Sequence, residues 1–291
     1  MKKLFSWLLL LSGSASAQLP DTEIYLADFS SADGKIKIAY PANITNRKGY
    51  DNQPAFTPDG KKVFYVSVID TTQSDIYAYD LKTKITSQVT ATKESEYSPI
   101  VLQDGKNMTV VRVDRDSGQR FYSVPINQKL TPTFIPGTDS IGYYCRIDEK
   151  RYAMFLVGKA NTLQILNLSD TSRKLIASDI GRSLKLSPDK KFLYYILKSN
   201  EKEWKILKLN LETYDGEFFI ETLPACEDFI VLPSGTLIMG QGSKIFSFTK
   251  GKDDFWKEEV DLGKTFTKIS RMALNPWGNK IAFVDIISSP K

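Results

Sequence analysis

The chain has 291 residues, 39 Lys+Arg against 34 Asp+Glu, a formal net charge of +5 and no histidine. The two signs are interspersed with no long Lys/Arg run, which is an ordinary solvated surface and not a nucleic-acid footprint. Without histidine, Ser-His-Asp and Cys-His catalysis and His-bearing zinc sites are excluded, so any chemistry would rest on carboxylates, Tyr, Lys or a Ser-Lys pair.

The chain opens "MKKLFSWLLLLSGSASAQLP". Lys2 and Lys3 precede a short apolar run from Leu4 to Leu11, and Ala15-Ser16-Ala17 has the small-x-small pattern of a signal-peptidase site. The run falls well short of the roughly 20 residues that span a bilayer. The sequence therefore predicts a signal peptide over 1–17 and an exported mature domain over 18–291, with a formal charge of +3 once Lys2 and Lys3 are removed.

Downstream the chain repeats itself. "TPDGKKVFYV" at 57–66 recurs as "LQDGKNMTVV" at 102–111, "SPDKKFLYYI" at 187–196, "LPSGTLIMGQ" at 232–241 and "NPWGNKIAFV" at 275–284. A weaker copy, "IDEKRYAMFL" at 147–156, fills the gap. Successive copies start 45, 45, 40, 45 and 43 residues apart. In each, a tight turn of Pro, Asp and Gly precedes a run rich in Val, Phe, Tyr and Ile, the signature of a strand behind a turn. A polar connection such as "DTTQSD", a second strand such as "IYAYDL" and a shorter one near "SQVT" complete the unit. Four antiparallel strands in about 44 residues is the size of a propeller blade.

Val63 to Val66 and Phe192 to Ile196 are apolar on both faces, as expected of strands sandwiched between neighbouring blades. The sixth copy has only two strands before the chain ends. "EIYLAD" at 23–28 and "IKIAYPANIT" at 36–45 supply the third and fourth. The prediction is an all-β, six-bladed β-propeller of four-stranded antiparallel blades, closed by N-terminal strands.

The segments entering the innermost strands should ring one end of the central channel. Four to six residues before each turn stand Asp51, Asn52 and Gln53; Glu96 and Tyr97; Tyr143; Arg182; Glu227 and Asp228; and Arg271, with Ser98, Ser183 and Ser270 beside them. Acids, arginines and tyrosines converging from separate blades would form a mixed polar mouth, in which Arg offers a planar fork to a carboxylate or phosphate. The alternative is that they are capping and turn residues of short loops. Elsewhere, Asp114-x-Asp116-x-Gly118 is only a fragment of a calcium loop, lacking its third acid and distal glutamate. Cys145 and Cys226 read as two buried thiols in place of a disulfide. Trp204, Trp256 and Trp277 read as packing residues, and the sequons at Asn43, Asn107 and Asn167 as accidental.

The pattern "QPAFTPDGKKVFYVS…DIYAYDLKTKITSQVT" resembles the TolB-type repeat of bacterial periplasmic proteins, over most of residues 23 to 285. The resemblance implies the propeller fold. It implies a stand-alone propeller, because the N-terminal α/β domain of TolB and the C-terminal hydrolase domain of prolyl-oligopeptidase-like peptidases have no counterpart here. The expected function is a non-catalytic, periplasmic or secreted scaffold that binds an envelope protein or peptide as a monomer or a subunit of a complex. No transmembrane segment, nucleic-acid partner, cofactor or metal is called for. Two other readings stay open: a carbohydrate-active enzyme or lectin using carboxylates at the mouth, and a structural subunit of a secretion or outer-membrane assembly.

Overall fold

The computed structural model describes residues 19–287, apart from 33, 70–72, 128–130, 199 and 201–202. The signal segment predicted over 1–17 lies outside the described residues. Within them there is no α-helix, and the strands fall into antiparallel groups of four.

The chain begins with β1 (Thr22–Ala32) and β2 (Lys35–Asn43). Blade 1 follows as β3 (Tyr50–Phe56), β4 (Lys62–Val68), β5 (Asp75–Asp80) and β6 (Thr86–Gln88). Blade 2 is β7 (Ser95–Val101), β8 (Asn107–Val113), β9 (Gln119–Pro125) and β10 (Thr133–Phe134). Blade 3 is β11 (Ile141–Arg146), β12 (Arg151–Leu156), β13 (Thr162–Asn167) and β14 (Arg173–Ser178). Blade 4 is β15 (Ile180–Leu186), β16 (Phe192–Leu197), β17 (Lys205–Asn210) and β18 (Gly216–Glu221). Blade 5 is β19 (Phe229–Val231), β20 (Leu237–Gln241), β21 (Lys244–Phe248) and β22 (Lys257–Asp261). The last blade starts with β23 (Ile269–Leu274) and β24 (Lys280–Ile286). Its strand order is β23-β24-β1-β2, so the first two strands of the chain complete it. Ile24 faces Val284 across β1–β24, and one parallel bridge, Thr22 to Tyr50, joins this blade to the first. The expected closure by N-terminal strands is the closure found.

The apolar runs are explained by where alternate side chains go. In β4, Phe64 and Val66 join Met108 and Val110 between blades 1 and 2, while Val63 and Tyr65 join Ile24, Ala282 and Val284 between blades 6 and 1. In β16, Leu193 and Tyr195 face blade 3, and Tyr194 and Ile196 face blade 5. The period is still two, but both faces are buried, so alternation disappears from the sequence. The core is thus a series of clusters in the seams between blades and not one central mass.

The repeated turns end the inner strands. Gly60, Gly105, Gly235 and Gly278 each donate an N–H to the carbonyl three residues back and adopt positive φ of 60 to 84°. Lys190 takes that left-handed position in the fourth copy, at φ 57°. Thr57 and Ser187 each donate a hydroxyl to the turn aspartate, Asp59 and Asp189, at 2.6 Å. Gly60 is needed for a second reason: a Cβ there would lie 2.6 Å from the Trp277 ring of the last blade's turn. Trp277 is therefore 62% exposed yet seated on blade 1, which reinforces the closure.

Candidate site at the axial mouth

Inner strands enter at one end of the axis and leave through the turns at the other. At the entry end the pairing of β3, β7, β11, β15 and β23 to the next strand slips, between Asn52 and Ala55, Tyr97 and Ile100, Ile141 and Tyr143, Ile180 and Leu184, and Ser270 and Met272. Such bulges re-aim side chains. Gln53, Ser98 and Arg271 sit in them with positive φ of 57, 53 and 40°. Gln53, Arg182 and Arg271 of the sequence-predicted positions are therefore bulge residues, a feature that residue types alone do not reveal, whereas Glu227 and Asp228 precede β19, whose pairing does not slip.

The structure divides these residues into two groups. Asp51, Asn52 and Glu96 are buried, with Asp51 at 0% and Glu96 at 1% exposure. Asp51 accepts from the Arg47 guanidinium at 2.7 Å, and its other oxygen, Oδ2, is buried without a hydrogen-bond partner. The Thr22 hydroxyl donates to the Asp51 carbonyl at 2.8 Å, stitching the last blade to the first. Burial pushes the Asp51 carboxyl up to about 6, against the pull of Ser67 and Arg47. Glu96 accepts from the Thr90 hydroxyl at 3.1 Å and from Thr92, and Ser74 donates to its carbonyl at 3.0 Å. Burial pushes its carboxyl up to about 7. Gln53 is turned to blade 2, where its carbonyl oxygen accepts from Ser98 N at 2.6 Å. Asp51, Gln53 and Glu96 hold seams, while buried Asn52 accepts from the N–H of Gln53. The expectation that Asp51, Asn52 and Glu96 would stand open at the mouth is corrected: each entry bends its acid into the blade interface.

The other six residues come together. Arg182 donates Nε to Asp228 at 3.1 Å and Nη2 to its second oxygen, and its backbone N–H donates to Glu227 at 2.7 Å. Arg271 Nε stands 3.5 Å from Asp228, and its Nη2 donates to the Tyr143 hydroxyl at 2.9 Å. The Arg271 guanidinium also lies over the Tyr143 ring, 4.8 Å from its centre. Tyr50 is within electrostatic reach of Arg271, Tyr143, Tyr97 and Arg182, so groups from blades 1, 2, 3, 4 and 6 meet near one point, joined by Asp228 of blade 5. Burial opposes the Asp228 charge, but Arg182 and Arg271 outweigh it and hold its carboxyl below the usual range.

Tyr50 opens the "YDNQ" entry at 50–53 that the sequence points to, whereas sequence reasoning missed Lys185 and Lys198. Lys198 pairs with Glu227 at 2.9 Å and covers the Trp204 ring at 3.9 Å. Lys185, on β15, is within electrostatic reach of Cys145, Asp228 and Arg271, and burial lowers its pKa. Its signal was a lysine two residues before the turn, where other copies carry Ala55, Ile100, Cys145, Ile230 and Ala273.

Other motifs resolve as structure. Asp114 and Asp116 are taken by Arg120 at 3.0 and 2.7 Å, and Arg112 adds 2.8 Å to Asp114, so the supposed calcium fragment is an arginine-centred ion network. Among the described residues no group of three or more His, Cys, Asp or Glu could hold a metal ion. Cys145 and Cys226 are free thiols, each pushed up to about 11 by burial. Trp256 donates to the Glu221 carbonyl at 2.8 Å and packs on Phe248.

No family model matches the chain. Its fold matches that of TolB from Acinetobacter baumannii, with a TM-score of 0.60 at 16% identity over 91% of this chain and 64% of that one. The chain has a TolB-like propeller fold. An oligogalacturonate lyase solved with manganese matches with a TM-score of 0.59 at 14% identity, over 89% of this chain and 85% of the lyase. In sequence, the chain is 26% identical to the "Probable dipeptidyl-peptidase 5" of Emericella nidulans over 219 residues, 73% of this chain. It spans only 28% of that relative's length and 64% of TolB's. A TolB-like propeller is thus a scaffold shared with enzymes, and function has to be argued from the mouth.

Proposed function

We propose that this TolB-like propeller is an exported, non-catalytic scaffold that binds a protein or peptide of the cell envelope at its axial mouth. The carrying observation is the convergence there of Tyr50, Tyr97, Tyr143, Arg182, Asp228 and Arg271, one residue from each blade. The seams between blades are apolar, whereas this point concentrates charge and tyrosine hydroxyls on rigid strands, the makeup of recognition surfaces rich in Tyr and Arg. The acids that a glycosidase pair would need support the scaffold reading by their environment. Asp51 and Glu96 are sealed in seams, and Glu227 and Asp228 are neutralised by Lys198, Arg182 and Arg271. The signal-like N-terminus supports export to the periplasm or beyond, and no helix among the described residues is long and apolar enough to cross a membrane.

The test is capture of envelope proteins by the immobilised chain, comparing wild type, a mouth double variant (Lys185→Met with Arg271→Lys) and a variant at the turn end (Lys106→Met). Proteins retained by wild type and Lys106→Met but lost from the double variant are the expected result, with melting temperatures matched. Equal capture by all three would refute the mouth as the binding surface.

A further inference from the structure

We propose that the mouth recognises a carboxylate of an acidic peptide, held between Arg271 and Lys185 and bordered by the hydroxyls of Tyr50 and Tyr97. This rests on the scaffold reading and names the chemistry of its ligand.

The inference starts from a charge count. Four cations, Arg182, Lys185, Lys198 and Arg271, share the mouth with two acids, Glu227 and Asp228. The acids are already committed. Glu227 is bracketed by Lys198 at 2.9 Å and Arg182 at 3.5 Å, and Asp228 by Arg182 and Arg271. Two positive charges are left over, in a place where burial makes an uncompensated charge costly.

The surplus resides on particular atoms. Arg271 spends Nε on Asp228 and Nη2 on Tyr143, and its Nη1 has no hydrogen-bond or ion-pair partner among the described residues. Lys185 makes no ion pair within 4.0 Å among them, although Cys145, Asp228 and Arg271 are all within its electrostatic reach. The Tyr50 and Tyr97 hydroxyls likewise have no hydrogen-bond partner among the described residues; Tyr50 is within electrostatic reach of Arg271, and Tyr97 packs against the same cluster as Tyr50. A carboxylate supplies what these groups lack: one negative charge and two oxygens able to accept from a guanidinium, an ammonium and phenols together. Arg182, by contrast, is spent on Asp228 and Glu227 and acts as a positioning residue. A peptide is favoured over a polyuronate because the Tyr143 face, on which a sugar ring would stack, is already covered by the Arg271 guanidinium.

The test is fluorescence anisotropy of the mature chain with a fluorescein-labelled tetraglutamate peptide and its tetraglutamine isostere, each as free acid and as C-terminal amide. The free acid of tetraglutamate is expected to bind at least tenfold tighter than the tetraglutamine amide, with affinity falling as salt rises. If the amide binds as well as the acid, the side-chain carboxylate is the ligand. If only the acid forms bind, the ligand is the chain terminus; either result supports the proposal. Lys185→Met should weaken binding at least tenfold without lowering the melting temperature. Arg271→Lys, which keeps the charge and loses the fork, should weaken it less. Equal binding of the tetraglutamine amide, whose peptide carries no carboxylate, indifference to Lys185→Met, or binding of trigalacturonate with none of the peptides would overturn the proposal. Capture of an envelope protein at the mouth that persists while tetraglutamate fails would overturn the carboxylate alone; loss of both would overturn the scaffold reading as well.

Discussion

Asp51 and Asp228 both stand where a chain segment enters an inner strand, yet they live in opposite electrostatic worlds. Asp51, like Glu96 in the next blade, is sealed in a seam where burial raises its pKa, to about 6 for Asp51 and about 7 for Glu96. Asp228 is buried as well, but between two guanidinium groups that keep it ionised. The difference lies in what the neighbouring blade contributes: threonine and serine hydroxyls around Glu96, arginines around Asp228. One fold position thus serves as buried mortar with a raised pKa on one side of the ring and as a charged clamp on the other. Only the charged side is left with cations to spare.

Breaking the clamp should have the largest effect. Asp228→Ala would leave Arg182 and Arg271 facing each other without their shared counter-ion, and is expected to cost about 3 kcal/mol, read from urea unfolding at pH 7. The mortar side should respond to pH in the opposite sense from an ordinary ion pair. A carboxyl whose folded pKa is raised binds protons more tightly when folded. Its stabilising contribution is complete below pH 4 and is lost as pH rises through about 6 for Asp51 and about 7 for Glu96. The chain should therefore lose roughly 2 kcal/mol from the Glu96 site between pH 5 and pH 8. Glu96→Gln should flatten that part of the profile and match or exceed wild-type stability at pH 8. A smaller effect sharpens the contrast away from both sites: Lys190→Gly should gain about 0.5–1 kcal/mol by relieving the left-handed φ of the fourth turn, measured as a shift in melting temperature. The smallest concerns the spare charge itself: Lys185→Met removes a buried cation without a close partner and should gain up to about 0.5 kcal/mol by the same unfolding assay.

Much of the fold could be read from the residues, because turn chemistry is local. Thr57-Pro58-Asp59-Gly60 and its copies set blade length, and the stretch at 23–28 could be recognised as a missing third strand by likeness to 75–80. The mouth could be located but not understood. Counting back from each turn finds Asp51, Glu96, Arg182 and Arg271 alike, but a bulge decides whether each side chain meets its neighbour's hydroxyl, a seam or the axis. That depends on register between strands, which no single strand encodes. Lys185 is hidden for a related reason: it lies on the strand, past the bulge, where the sequence does not say which side chains reach the axis.

A recognition surface at the mouth must be shielded when its ligand is bound. Hydroxyl-radical footprinting of the chain with and without saturating tetraglutamate peptide tests that directly. Tyr97 and Tyr143, half-buried at the entry end, should be protected, while the exposed ring of Trp277 at the turn end should oxidise unchanged. Protection of Trp277 with Tyr97 and Tyr143 unaffected would contradict it.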